Sequence, residues 1–94
     1  LLEEFRKINP EMPIQVAATF LVIAETPRIP FREIGLRTGQ SSSATNRNVA
    51  LLAGKYGTPL VAYGRDPNDA RNNIAWLTPL GERLAASIAH YMEK

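Results

Sequence analysis

The sequence predicts a mainly α-helical domain carrying one small β-hairpin, an α+β fold built as a single unit over residues 1–94. Apolar residues recur at helical spacing through most of the chain. Late in the sequence, two runs of alternating residues flank Asp66-Pro67-Asn68-Asp69, a cluster of turn formers. With 94 residues, 45% of them apolar, the chain has enough to enclose one small core but not two.

A first helix is expected over 1–9. Leu1, Leu2, Phe5 and Ile8 share one helical face, Glu3, Glu4, Arg6 and Lys7 lie elsewhere, and Asn9-Pro10 ends it. Segment 13–25 opens on Pro13, which is tolerated at a first helical position because an N–H there would have no partner. From Ile14 to Ala24 apolar residues lie nearly all round, which marks the buried centre of the domain. A strand competes for Thr19–Ile23, but the length of the segment favours a helix. Thr26-Pro27 stops it. Ile29-Pro30-Phe31 fits a very short strand, confined to a sheet edge because Pro30 has no N–H to donate. Segment 31–38 reads as a short helix with Ile34 inward, ended by Gly39 where the backbone needs positive φ.

A serine of Ser41-Ser42-Ser43 is expected to cap the next helix, about 42–53, by accepting from its free N–H groups. Thr45, Val49 and Leu52 fall at i, i+4 and i+7 and mark its packed face. Ser42, Ser43, Asn46, Arg47 and Ala50 then point outward. Gly54 and Gly57 close this part. Leu60–Arg65 and Asn73–Leu77 read as the strands of the hairpin, with Arg65 and Arg71 flanking its tip. Thr78 caps the last helix, Pro79 sits in its first turn, and Glu82 lies near the positive end of its dipole. Leu80, Leu84, Ile88 and Tyr91 keep helical spacing there, widened by Ala85, Ala89 and Met92. One small core does not cover both sides of so broad a stripe, which favours a homodimer.

Composition removes several classes of function. Cysteine is absent, which excludes disulfides, thiolate metal sites and cysteine nucleophiles and fits a reducing compartment. No signal-peptide pattern opens the sequence, so a cytoplasmic location is expected. The chain does not begin with methionine and reads as a trimmed or partial one. No apolar run is long enough to cross a bilayer. With His90 as the one histidine, no histidine metal site and no cofactor are expected, and His90 itself reads as a surface or interface residue. No paired carboxylates, phosphate loop or nucleophile–base set is present, so the chain is not expected to be an enzyme. Net charge is +2, but between Arg28 and Arg71 seven basic residues stand against three acidic ones. A basic middle between acidic ends suits a polyanion, and an ordinary solvated surface is the competing reading.

Two helices separated by one glycine and followed by a hairpin make a winged helix-turn-helix. Helices that cross steeply over a tight turn need a small residue where they touch, and Gly35, four positions before Gly39, supplies it. The residues Phe31-Arg-Glu-Ile-Gly-Leu-Arg-Thr-Gly39 and Ser41-Ser-Ser-Ala-Thr-Asn-Arg47, the wing Asp66-Pro-Asn-Asp-Ala-Arg71, and the junction Leu77-Thr78-Pro-Leu-Gly81-Glu-Arg-Leu84 resemble the MarR family of bacterial transcription regulators. The junction matches the family's Leu-Thr-x-x-Gly-x-x-Leu, and the resemblance covers about residues 12–84. It implies a homodimer on double-stranded DNA, a repressor or another transcription regulator. The recognition helix, about 42–53, would enter the major groove, and the wing, about 65–72, the adjacent minor groove. An arginine two residues after an aspartate touches the minor groove in the family. Asp69 and Arg71 match that pair, so Asp69 would orient Arg71, and Arg47 matches a basic position on the recognition helix. The chain departs from the family at Asn48, where an apolar residue is usual, and in a longer stretch Gly54–Pro59. For dimerisation it offers only 1–9 and 79–94, which argues against the usual small-molecule effector pocket.

The chemistry of the residues points the same way. A helix start offers unpaired N–H groups and a positive dipole end to a phosphate, and Ser41, Ser42 and Ser43 add hydroxyls. Asn46 is suited to pair bidentately with adenine, Arg47 with guanine or a phosphate. Arg71 suits a narrow minor groove with its enhanced negative potential, and Arg65 and Asn68 stand beside it at the hairpin tip. Plainer readings stand next to these. The serines serve as a cap alone, Arg65 and Arg71 pair with Asp66 and Asp69, Arg28, Arg32 and Arg37 are backbone contacts or plain surface, and Trp76 and Tyr63 are core or sheet residues. Two alternative functions share the scaffold: a winged helix that holds a protein partner through the stripe bearing Tyr91 and Met92, and a replication or partition factor.

Overall fold

The computed structural model describes residues 13–55 and 59–92. The helix expected over 1–9, with its assigned share in dimerisation, lies outside the described residues, as does Gly57. Helix α1 (Ile14–Glu25) starts at Pro13, whose carbonyl accepts from the N–H groups of Val16 and Ala17 at 3.1 Å each. Val16, Ala17, Phe20 and Ile23 are buried on one side. Phe20 is fully enclosed, and burial of such a side chain contributes about 1.5–3 kcal/mol. Thr19 shares that side because its hydroxyl donates to the Gln15 carbonyl at 2.8 Å. The opposite side differs from expectation: Ile14 is 69% exposed, so apolar character all round does not mean burial all round here.

After the Pro27-Arg28 turn, in which Arg28 takes φ 59, comes β1 (Ile29–Pro30). It pairs antiparallel with β3 and lies at the edge of a sheet ordered β1-β3-β2, as Pro30 requires. Helix α2 (Phe31–Thr38) buries Ile34 and ends at Gly39 with φ 70, a left-handed conformation that favours glycine. Helix α3 (Ser42–Ala50) follows after a three-residue turn, Gly39, Gln40 and Ser41. Its cap is Ser41, whose Oγ accepts from the Ala44 N–H at 3.1 Å. Regular α3 stops at Ala50 rather than near Ala53, because Leu51–Lys55 forms a wider π-type turn. The Leu52 carbonyl there accepts from the Leu60 N–H at 2.9 Å, so the chain leaves the helix with that group satisfied by the approach to the wing.

The wing is β2 (Val61–Asp66) and β3 (Asp69–Leu77). Strand β3 begins four positions earlier than its apolar pattern suggested. The register explains this: Arg65 lies opposite Asn73, but Asp66 opposite Asp69, so Ala70–Asn72 bulge out of the ladder. Those residues carry no alternation and look like turn in the sequence. Helix α4 (Pro79–Met92) starts where Thr78 Oγ1 accepts from the Gly81 N–H at 3.0 Å and donates to the Pro59 carbonyl at 2.8 Å. The Thr78 N–H also donates to the Leu60 carbonyl at 3.1 Å. A side chain at Gly81 would collide with that carbonyl, which is the physical content of the Leu-Thr-x-x-Gly pattern. Leu84 and Ile88 enter the core, whereas Ala89 and Tyr91 are exposed. The apolar stripe of α4 is thus split between the core and an open side.

Candidate nucleic-acid interface

Helices α1, α2 and α3 pack around Ile34, Val49, Phe20 and Leu52, all at or below 1% exposure. The close approach of α2 to α3 depends on Gly35. A Cβ there would lie 3.1 Å from both the Gln40 carbonyl and Thr45 Oγ1. This packing turns Ser42, Ser43, Asn46, Arg47 and Ala50 to solvent, while Thr45, Asn48 and Val49 face inward. The inward set includes Asn48, the departure noted in the sequence, and its amide donates to Gln40 Oε1.

A cleft of about 700 Å³ runs between α2, α3 and the tip-proximal part of β3. Ser42 and Asn46 line it from α3, Arg32 and Leu36 from α2, and Arg71, Asn72 and Asn73 from β3. Its lining contains two arginines and no carboxylate. Of the predicted site residues, Ser42, Asn46 and Arg71 therefore share one concave surface. Arg47 and Ser43 are exposed on α3 outside that lining, and Ser41 acts as the cap.

The wing residues are held locally. Asp69 accepts from Arg71, both at the backbone N–H and at Nε, and from Asn72. The pairing of Arg71 with Asp69 is thus present, and Arg71 nevertheless keeps 91% of its side chain exposed. Arg65 does not pair with Asp66; its Nη1 donates to the Ala70 carbonyl at 3.2 Å, across the bulge. Asp66 instead accepts from the Asn68 backbone N–H at 2.9 Å, which fixes the turn and leaves the Asn68 side chain at the exposed tip.

The three arginines read as backbone contacts or plain surface separate clearly. Arg32 lines the cleft. Arg37 is tied to Glu33 at 3.2 Å and to Thr26 at 2.7 Å. Arg28 borders a second cavity of about 370 Å³, with Trp76, Ile23 and Glu82 among its walls. Tyr63 is a sheet residue whose ring packs on Phe31 at 5.8 Å. Sequence reasoning missed Leu36, Gln40, Asn72 and Asn73 as cleft residues. For Asn72 and Asn73 the signal was available, as two amides directly following Arg71. For Leu36 and Gln40 no local signal exists, because the crossing of α2 over α3 alone decides what they face. Among the described residues no group of acidic or histidine side chains could hold a metal ion, and no helix is long and apolar enough to cross a membrane.

Three helices, a glycine-tightened turn and a three-stranded sheet that carries the wing define a winged helix-turn-helix. No protein-family sequence model and no curated protein sequence matches the chain. Solved structures do. The transcriptional regulator PcaV from Streptomyces coelicolor, in complex with its natural ligand, is 28% identical over 79% of this chain and 50% of its own, with a TM-score of 0.70. MarR is 22% identical over 97% of this chain and 63% of its own, with a TM-score of 0.75. A Staphylococcus aureus MepR–DNA complex is 15% identical over 98% of this chain and 74% of its own, at 0.78, a likeness of fold alone. The chain is a MarR-like winged helix-turn-helix protein, similar to MarR-family transcription regulators. It spans half the length of PcaV and under two thirds of that of MarR.

Proposed function

We propose that this chain is the DNA-reading part of a homodimeric transcription regulator acting in the cytoplasm. In this reading α3 lies in the major groove of double-stranded DNA and the wing in the adjacent minor groove. One observation carries it: Ser42 and Asn46 of α3 and Arg71 of the wing line a single carboxylate-free cleft. Asn46 reads a base edge, Arg71 probes the minor groove, and Ser42, Ser43, Arg47, Arg65 and Asn68 contact the backbone on either side. The exposed side of α4, with Tyr91 at 53% exposure, meets the second copy. A two-fold dimer then requires a palindromic site with half-sites roughly 10 bp apart.

Selection from a random duplex pool, followed by a salt titration of the selected duplex, tests this. Binding is expected to weaken with a log–log slope of about −0.9 per phosphate neutralised. No duplex binding even at low salt would favour the reading in which α4 holds a protein partner. A monomer by light scattering at micromolar concentration would remove the dimer. The short terminal segments argue against an effector pocket of the usual kind; a small-molecule effector bound by this domain alone would have the cavity beside Trp76 to occupy. Trp76 is the sole tryptophan, so its emission should change when such a ligand enters, and an unchanged emission on ligand-induced release from DNA would place the effector elsewhere.

A further inference from the structure

We infer that Gln40 is a positioning residue: through one directional polar network it sets the rotation of the recognition helix α3 about its axis, and so governs how sharply the domain discriminates between DNA sequences. This rests on the DNA-reading function proposed above. Gln40 stands in the turn between α2 and α3 and touches all three helices. Its Nε2 donates to Thr19 Oγ1 of α1 at 2.9 Å and to Thr38 Oγ1 of α2 at 2.6 Å. Its Oε1 accepts from Asn48 Nδ2 of α3.

The network has one sense. The Thr19 hydroxyl hydrogen is committed to the Gln15 carbonyl at 2.8 Å, and that of Thr38 to the Ile34 carbonyl at 2.7 Å. Both hydroxyls therefore present only lone pairs to Gln40. Its NH2 must face them, its oxygen must face Asn48, and Asn48 must present its NH2 in turn. Asn48 is 4% exposed, and no buried side-chain polar atom among the described residues lacks a partner.

An apolar contact through Val49 and Leu52 has no direction and tolerates a small rotation of α3. A buried amide does not, because any rotation that breaks the Asn48 bond strands the Asn48 amide in the interior and leaves the half-buried Gln40 oxygen without its partner. Asn48 lies two positions after Asn46, and roughly 1 Å of misplacement is enough to spoil a bidentate contact at a functional site. Keying of register by a polar group in an apolar interface is the best attested role for such residues.

The test is the double variant Gln40→Met/Asn48→Leu, of similar volume and without polar atoms. A purely structural role predicts a change in stability and no change in sequence preference. Positioning predicts that the variant melts near the wild-type temperature; because Gln40 also lines the cleft, binding to the selected site is read relative to random-duplex binding of the same variant at low salt. The ratio of selected-site to random-duplex affinity should fall by about tenfold or more, the range of one lost base contact. An unchanged ratio would overturn the inference. Should the double variant not fold, Thr38→Val removes one acceptor at a half-buried position, and its selected-to-random ratio should still fall; no fall overturns the inference. Residual dipolar couplings of the free protein test the helix setting without DNA. The orientation of α3 relative to α1 should shift or become heterogeneous in whichever variant folds, and identical couplings would refute positioning. A wild-type protein that selects no sequence, with couplings that do shift, would instead remove the DNA-reading function and leave the helix-setting role standing.

Discussion

Asp69 grips Arg71 twice: its Oδ1 accepts from the Arg71 backbone N–H at 3.1 Å and from Nε at 3.3 Å. The first bond shapes the bulge and the second aims the side chain, so one carboxylate couples the backbone of the wing to the direction of its arginine. The pair is too exposed to matter much for stability. On the proposed DNA-reading function its value would lie in preorganisation. Arg71→Ala is expected to weaken duplex binding by about tenfold, within the 1–3 kcal/mol of a good groove contact. Asp69→Ala leaves the arginine in place but lets it roam. Ordering one long side chain costs about 0.5–1.5 kcal/mol, so binding should fall roughly 2- to 10-fold with an unaltered melting temperature. Fluorescence anisotropy on the selected duplex decides. Wild-type affinity in Asp69→Ala would end the orienting role.

Asn46 and Arg47 are neighbours on α3 but sit differently. Asn46 lines the cleft, and Arg47 is exposed outside it. Asn46→Ala should therefore relax preference at one position of the site, by about 1–3 kcal/mol, with little effect on random duplex. Arg47→Ala should weaken all duplexes alike and reduce the salt slope by about one unit, the signature of a lost phosphate contact. Loss of base preference in Arg47→Ala with an unchanged slope would assign it to the groove floor instead.

The junction between wing and α4 is a stability hinge. Thr78 closes it with three hydrogen bonds, and Gly81 lets the Leu60 carbonyl approach. Gly81→Ala gains about 1 kcal/mol of helix propensity but drives a methyl into fixed backbone, and should lose roughly 3 kcal/mol net in urea unfolding. Thr78→Ala should lose about 1–2 kcal/mol, as other caps do. A Gly81→Ala protein as stable as wild type would mean that the junction yields easily.

Features written in adjacent residues were legible in the sequence. Gly39 ends α2, Ser41 caps α3, Pro30 keeps β1 at an edge, and Thr78 caps α4, each because the residue acts on backbone within a few positions. The packed and open faces of α3 were legible for the same reason, through its period. What escaped depended on contacts distant in sequence. The end of α3 is set by the Leu52 carbonyl meeting the Leu60 N–H. The length of β3 is set by a bulge whose residues show no alternation. Gln40 and Leu36 entered the cleft only because α2 crosses α3, which no local pattern announces.

That crossing is where a single methyl group decides the outcome. Gly35 sits inside α2, where alanine would gain about 1 kcal/mol by propensity alone. The added Cβ would lie 3.1 Å from the Gln40 carbonyl and from Thr45 Oγ1, closer than side chains normally pack. Neither neighbour is free to retreat. Thr45 is held by its bond to the Ser41 carbonyl at 2.9 Å, and Gln40 by its N–H to the Gly35 carbonyl at 3.0 Å. Overpacking against anchored atoms costs about 1–3 kcal/mol, so Gly35→Ala should lose on the order of 1 kcal/mol net in urea unfolding. The strain can relax only by opening the angle between α2 and α3, which moves Asn46 relative to Arg71. Specific binding should therefore fall further than stability does, while random-duplex binding at low salt holds. A stabilised Gly35→Ala protein with wild-type specificity would show that this contact neither limits the packing nor sets the geometry of the cleft.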